Sequence, residues 1–286
     1  MLNRLPVLVT AALLAVVTSA PGRAESPLER GTYLMNAVAG CGNCHSPFTA
    51  EGPTRPELSG GPPIVTPAFT AYPRNLTPDP ATGIGTWTDE QIIAVVREGR
   101  RPDGSVIRPP MPIDFYRGIS DTDVRALVAY LRSVPAVERK VPDGTYKFPP
   151  PAGYGPPLGQ VPDVPRTDPV AYGAYLGRMA HCVYCHTPLK GGARDYEHMA
   201  GAGGLQLSGP WGTSVSANIT PDPETGVGAW MDQQVKDALA KGVRPDGSRL
   251  AVPMPVYYFR NMTDDDLTAV VAWLRTLRPI RNVVHP

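Results

Sequence analysis

Two short runs hold the side chains with the most chemistry in this chain: CGNCH, with Cys41, Cys44 and His45, and CVYCH, with Cys182, Cys185 and His186. In each, two thiols stand one helical turn apart and a histidine follows the second at once. Such a cluster can hold zinc, exchange a disulfide or anchor a covalently attached haem. The chain has 4 cysteines, and these runs use all of them. A closed zinc site takes two neighbouring CxxC pairs or one pair with two histidines. Neither run has a second histidine at a matching position. A redox CxxC pair expects a βαβ setting, which the sequence does not suggest. Covalent haem attachment asks only for what is present: two thiols for two vinyl groups and an imidazole for iron.

The rest of the chain is also doubled, with a period of about 142 residues, too long for a solenoid repeat. NLTPDPATGIGTW at 75–87 returns as NITPDPETGVGAW at 218–230, and RPDGS at 101–105 returns at 244–248. PPMP around Met111 is matched by VPMP around Met254. Of the 8 methionines, only these two have partners in the other repeat. A proline on each side keeps each of them out of a helix and stiffens the loop. A rigid loop of this kind can present a thioether to iron from the face opposite His45 or His186.

The elements that must position these groups are read as helices. A first helix runs from about Glu29 to the CxxCH cluster, and in the second copy from about Val170. A second begins near Thr88, whose spacing to Gln91 makes a capping box, and Gly99 is placed to end it. The last helix follows Ser120 or Thr263, with Val124, Leu127, Val128 and Leu131 at helical spacing in the first copy. Pro135 and Pro279 stop the two copies. No run of alternating strands is evident, so the expected fold is all-α. The segment 135–166 is rich in proline and reads as an extended spacer, with the alternative that it lies across both domains.

Both repeats resemble class I cytochrome c domains, and the pair is similar to the diheme cytochrome c subunits of periplasmic alcohol, sugar and aldehyde dehydrogenases. CGNCH, CVYCH, the PMP loops and the two TPD…GxW segments carry the resemblance, which covers nearly all the chain beyond the leader and linker. It implies domains at 25–134 and 167–280, a linker at 135–166, a tail at 281–286 and two covalently bound haem c. His45 with Met111, and His186 with Met254, would ligate the two irons. Gly31, Tyr33, Gly173 and Tyr175 would lie where the first helix crosses the last near Tyr130 and Trp273. Trp87 and Trp230 would donate to haem propionates, and Asn75, Asn218, Arg101 and Arg244 are further propionate candidates. The implied partners are a periplasmic dehydrogenase as electron donor and a cytochrome or terminal oxidase as acceptor. The alternative is a diheme enzyme, peroxidase-like or thiosulfate dehydrogenase-like, with one exchangeable ligand. His198 and Met199, in the glycine-rich loop from Gly191, are the residues that could displace Met254.

Composition bounds the setting. With 27 basic and 26 acidic side chains in 286 residues and no run of either sign, there is no basic face for nucleic acid and no polybasic membrane patch. The 35 prolines exceed an average share of roughly 5%, which favours short helices and ordered loops. Residues 1–24 read as a cleaved export leader: Arg4, an apolar stretch from Leu5 to Val17, then small residues to Ala24. That stretch is shorter than the ~20 residues of a membrane span. The expected location is therefore the periplasm, with membrane contact at most peripheral.

Overall fold

The computed structural model describes residues 25–285, so the leader expected over 1–24 lies outside the described residues. Chain order in the first repeat begins with α1 (Pro27–Tyr33), which continues as a π-helical turn over Leu34–Ala39, then α2 (Gly42–His45). Strands β1 (Phe48–Thr49), β2 (Gly52–Pro53), β3 (Ile64–Val65) and β4 (Phe69–Ala71) follow, then α3 (Asp89–Glu98), α4 (Ile113–Tyr116) and α5 (Asp121–Ser133). Residues 134–168 contribute β5 (Thr145–Tyr146). The second repeat runs α6 (Pro169–Met179), α7 (Cys182–Cys185), β6 (Leu189–Lys190), β7 (Ala193–Arg194) and α8 (Tyr196–Met199). It ends with β8 (Gln206–Gly209), β9 (Gly212–Val215), α9 (Asp232–Lys241), α10 (Val256–Phe259) and α11 (Asp264–Leu274).

The helix ends follow their local chemistry. Thr88 and Gln91 form the reciprocal capping box, and Gly99 closes α3 in the left-handed region at φ 66°. Ser120 and Thr263 cap α5 and α11 by accepting from Asp123 N and Asp266 N, each at 3.2 Å. Within each repeat the first helix crosses the last at a glycine. A Cβ on Gly31 would stand 1.9 Å from the Ala126 carbonyl oxygen, and one on Gly173 would stand 1.8 Å from that of Ala269. Only glycine permits that approach.

The all-α expectation needs correcting. Among the described residues, the short strands pair antiparallel in small sheets: β1 with β2, β3 with β4 and β5, β6 with β7, and β8 with β9. Apart from β5, which comes from the segment after α5, they lie in the long proline- and glycine-rich stretches between each CxxCH and the TPD loop. There the chain turns back on itself and satisfies its backbone groups by pairing. Two to four residues per strand leave no alternation long enough to read.

Segment 135–166 is fastened along most of its length to the first repeat and at its end to the second, where Arg166 pairs with Asp266 at 3.0 Å. Asn75 Nδ2 donates to the Val137 carbonyl at 2.7 Å and Arg139 Nη1 to that of Gly60 at 3.0 Å. β5 adds to the edge of β4, and Tyr154 Oη donates to the Ile107 carbonyl at 2.9 Å.

The repeats share one buried core, which runs from Leu34, Val38 and Leu127 to Leu176, Val270 and Leu274. Their contacts are reciprocal. Tyr33 donates to Asp266 at 2.5 Å and Tyr175 to Asp123 at 2.6 Å, each from a first helix to the last helix of the other repeat. The ring of Tyr258 lies against Gly40 and Gly42 of the first repeat. The matching Phe115 packs edge-on against Tyr184 of the second, with centroids 5.8 Å apart. Tyr33 and Tyr175 thus do more than cross their own last helix: they join the two halves. No helix among the described residues is long and apolar enough to cross a membrane.

Candidate haem site

Each helix–turn that follows the first helix of a repeat aims its CxxCH side chains into the same space. A single cavity of about 2220 Å³ is lined by Cys41, Cys44 and His45 of one repeat and by Cys182, Cys185 and His186 of the other. Met111 and Met254 line it too, as do Trp87 and Trp230. The ten residues picked from the sequence are therefore brought together in one continuous site. Each methionine stands between a proline turn and the short helix α4 or α10, where its carbonyl accepts from Ile113 N at 3.0 Å or Val256 N at 2.9 Å. Trp87 and Trp230 are anchored through their carbonyls by Arg132 and Arg275, the latter pair at 2.5 Å. These arginines come from α5 and from the end of α11, so each last helix fixes its own tryptophan.

Both histidines are oriented the same way. His45 Nδ1 donates to the Arg74 carbonyl at 2.8 Å, and His186 Nδ1 to that of Ala217 at 2.7 Å. This fixes the tautomer and leaves Nε2 unprotonated for a metal. Burial lowers the pKa of both imidazoles, which keeps them neutral and suited to ligation. Burial likewise raises the thiols, Cys41 to about 11 and Cys44 and Cys182 to about 12. Cys44 has the largest exposed fraction of the four, and that exposure is to the cavity it lines. All four cysteines are free thiols.

Other candidates divide. Arg101 and Arg244 line the cavity. Asn75 and Asn218 do so as well, but their amides are committed to the loops. Asn75 donates to Thr82 and the Val137 carbonyl and accepts from Thr77; Asn218 does the same with Thr225, Ile280 and Thr220. Their visible role is to tie each TPD loop to the segment after the last helix. His198 and Met199 are not among the lining residues; His198 bonds Asp195 at 2.9 Å instead.

The sequence reading missed three features: the fusion of two pockets into one, the aromatic residues that each repeat sets against the other's CxxCH, and Trp211. Trp211, between β8 and β9, packs on Phe48 of the first repeat with centroids 5.2 Å apart, and its indole nitrogen is buried without a partner. The paired aromatics at 115 and 258, matched across the repeats, were the available signal for the second of these.

The residues fit two large planar prosthetic groups. The cavity is more than twice the roughly 1,000 Å³ upper end for a single small-molecule pocket. It offers paired free thiols, an oriented imidazole and a thioether in duplicate, and the buried Trp211 N–H is a donor awaiting an acceptor. Among the described residues no three His, Cys, Asp or Glu side chains converge on a metal-sized site, so the zinc reading lacks its donor set.

The cytochrome c family profile matches this chain twice, over residues 28–135 and 170–278. The chain belongs to the cytochrome c family, as a two-domain c-type cytochrome with two covalently bound haem c. It is 30% identical, over 98% of its length, to the cytochrome c subunit of a quinone alcohol dehydrogenase from Gluconacetobacter polyoxogenes. It is 32% identical over 90% of its length to a fructose dehydrogenase cytochrome subunit from Gluconobacter japonicus. The chain spans 63% and 54% of those two proteins. A diheme cytochrome c-type protein of Cereibacter sphaeroides is 29% identical over 88% of the chain, which spans 86% of that protein.

Proposed function

We propose that the chain is a periplasmic electron relay, taking single electrons from a dehydrogenase and passing them toward a cytochrome or terminal oxidase of the respiratory chain. The observation that carries this reading is the shared cavity, in which both CxxCH runs and both methionine loops meet. Each haem supplies a reversible one-electron couple when bound. Cys41 and Cys44 hold one haem by thioether bonds, and Cys182 and Cys185 hold the other. His45 and His186 are the nitrogen ligands, and their carbonyl partners keep Nε2 available. Met111 and Met254 would be the sulfur ligands, and an iron held by both a histidine and a methionine would have no free site for oxygen, peroxide or substrate. Methionine ligation and burial favour the reduced form and raise the potential. Trp87 and Trp230, whose carbonyls are held by Arg132 and Arg275, would donate their indole N–H groups to haem propionates.

The dehydrogenase donor is supported by the alcohol and fructose dehydrogenase subunits to which the chain is similar. The export leader read over residues 1–24 supports the periplasmic setting. An enzyme with an exchangeable ligand would draw on His198 or Met199, which stand outside the cavity lining. The test is optical: spectra of oxidised and reduced holoprotein, with and without carbon monoxide. Two haems that show a methionine–iron charge-transfer band and refuse carbon monoxide support the relay. A haem that takes carbon monoxide readily overturns it in favour of the enzyme.

A further inference from the structure

The two methionine loops are held in different ways. The loop that carries Met111 is tied to the segment after α5. Tyr154 Oη donates to the Ile107 carbonyl at 2.9 Å, and Arg108 Nη1 donates to that of Phe148 at 3.3 Å. Toward the other repeat, α4 meets the CVYCH run through aromatic packing, with Phe115 edge-on to Tyr184 at 5.8 Å. No hydrogen bond among the described residues links that run to residues 107–116.

Met254 is held from across the join. Asn43, inside the CGNCH run, donates through Nδ2 to the Pro253 carbonyl at 3.4 Å, and its Oδ1 accepts from Tyr257 Oη. One amide of the first repeat thus grips the chain on both sides of Met254. The Tyr257 ring is seated on the first repeat, 6.4 Å from the Phe48 centroid and against Gly52, where a Cβ would come within 3.1 Å of it. Ser214 Oγ of β9 adds a bond to the Val252 carbonyl at 3.2 Å, and Trp211 of the same hairpin packs on Phe48. The residues at the matching places in the other direction are Tyr184, Asp114 and Ala71. A carboxylate and a methyl group cannot donate as the Tyr257 and Ser214 hydroxyls do, so the arrangement is built once only.

We propose that Asn43 and Tyr257 are positioning residues for Met254: the attachment run of the first repeat holds the sulfur ligand of the second iron in place, whereas Met111 is set without the attachment run of the second. The inference rests on the methionine ligation proposed above. A ligand loop held less firmly releases its sulfur more often, and a competing ligand binds in proportion to the released fraction.

Imidazole titration of the ferric holoprotein, read from its absorption spectrum, tests this, because imidazole competes with methionine for iron. Met111→Ala should give one tight phase from the first haem and one weak phase from the second; Met254→Ala should give the reverse. On the Met111→Ala background, Asn43→Leu and Tyr257→Phe should each tighten the weak phase about twofold to tenfold, the equilibrium factor for one hydrogen bond. On the Met254→Ala background neither should move the weak phase. Variants that keep both haems and their helical circular dichroism but leave the weak phase unmoved on the first background overturn the proposal. A weak phase that tightens equally on the second background does so too. If Asn43→Leu does not take up its haem, Tyr257→Phe, outside both attachment runs, decides alone. Absence of a tight phase in both single methionine variants would instead sink the ligand assignment.

Discussion

Tyr33 Oη donates to the Asp266 carboxylate at 2.5 Å, and its counterpart Tyr175 makes the same bond to Asp123 at 2.6 Å. Each bond leaves one repeat and ends on the last helix of the other. Each hydroxyl also accepts from the backbone N–H of the cap residue there, Thr263 at 3.2 Å or Ser120 at 3.3 Å. The half-sites of the cavity are thereby held in register by two copies of one contact.

Removing one hydroxyl should therefore loosen the join between the repeats. Tyr33→Phe or Tyr175→Phe is expected to cost ~1.5–3 kcal/mol, the range for a hydrogen bond to a charged group. Thermal unfolding followed by far-UV circular dichroism measures the loss. The double variant should approach the sum, since the two bonds have no common partner.

The Tyr33 contact also carries a pH dependence. Burial, then the bond to Asp266, raises its hydroxyl from 10.0 to about 12. A raised folded pKa means that this stabilisation is complete below the unfolded value and is lost as pH rises through the folded one. The stability gap between wild type and Tyr33→Phe should be constant up to about pH 10 and close by about pH 12. A gap that persists beyond that point would place the contribution elsewhere.

Met111→Ala and Met254→Ala should each open one iron. Each variant is expected to bind carbon monoxide at about half of its haem and to lower one of two reduction potentials, consistent with thioether ligation raising the potential. Unchanged potentials in both variants would contradict the ligand assignment.

Gly173→Ala should be far more damaging than its size suggests. Its Cβ would stand 1.8 Å from the Ala269 carbonyl oxygen, so α6 and α11 must separate. The expected cost is at the upper end of ~1–3 kcal/mol or beyond, read as a lower unfolding midpoint and a poor yield of haem-loaded protein.

Asn218→Ala tests whether that amide serves the loop or a propionate. With its partners Thr220, Thr225 and Ile280 left behind, a loss of ~1–3 kcal/mol is expected. Both reduction potentials should stay where they were. A shifted potential would return Asn218 to the propionate.

Much of this was legible before any coordinates. The doubled CxxCH, the repeated PMP loop, the Thr88–Gln91 capping box and the glycines at 31 and 173 are local signals. Spacing and residue type fix what each can do, and the structure places every one of the ten site residues on the cavity. Tertiary packing alone decided the rest. Strands of two to four residues carry no readable period, so the small sheets were invisible. How the linker lies depends on bonds such as Tyr154 to Ile107, between residues 47 apart in sequence, and Arg166 to Asp266 of the second repeat. Most of all, the merging of two pockets arises from one repeat meeting the other. A sequence lists each repeat's residues, but it does not say which faces of two similar folds will touch, because that is set by shape and burial summed over both.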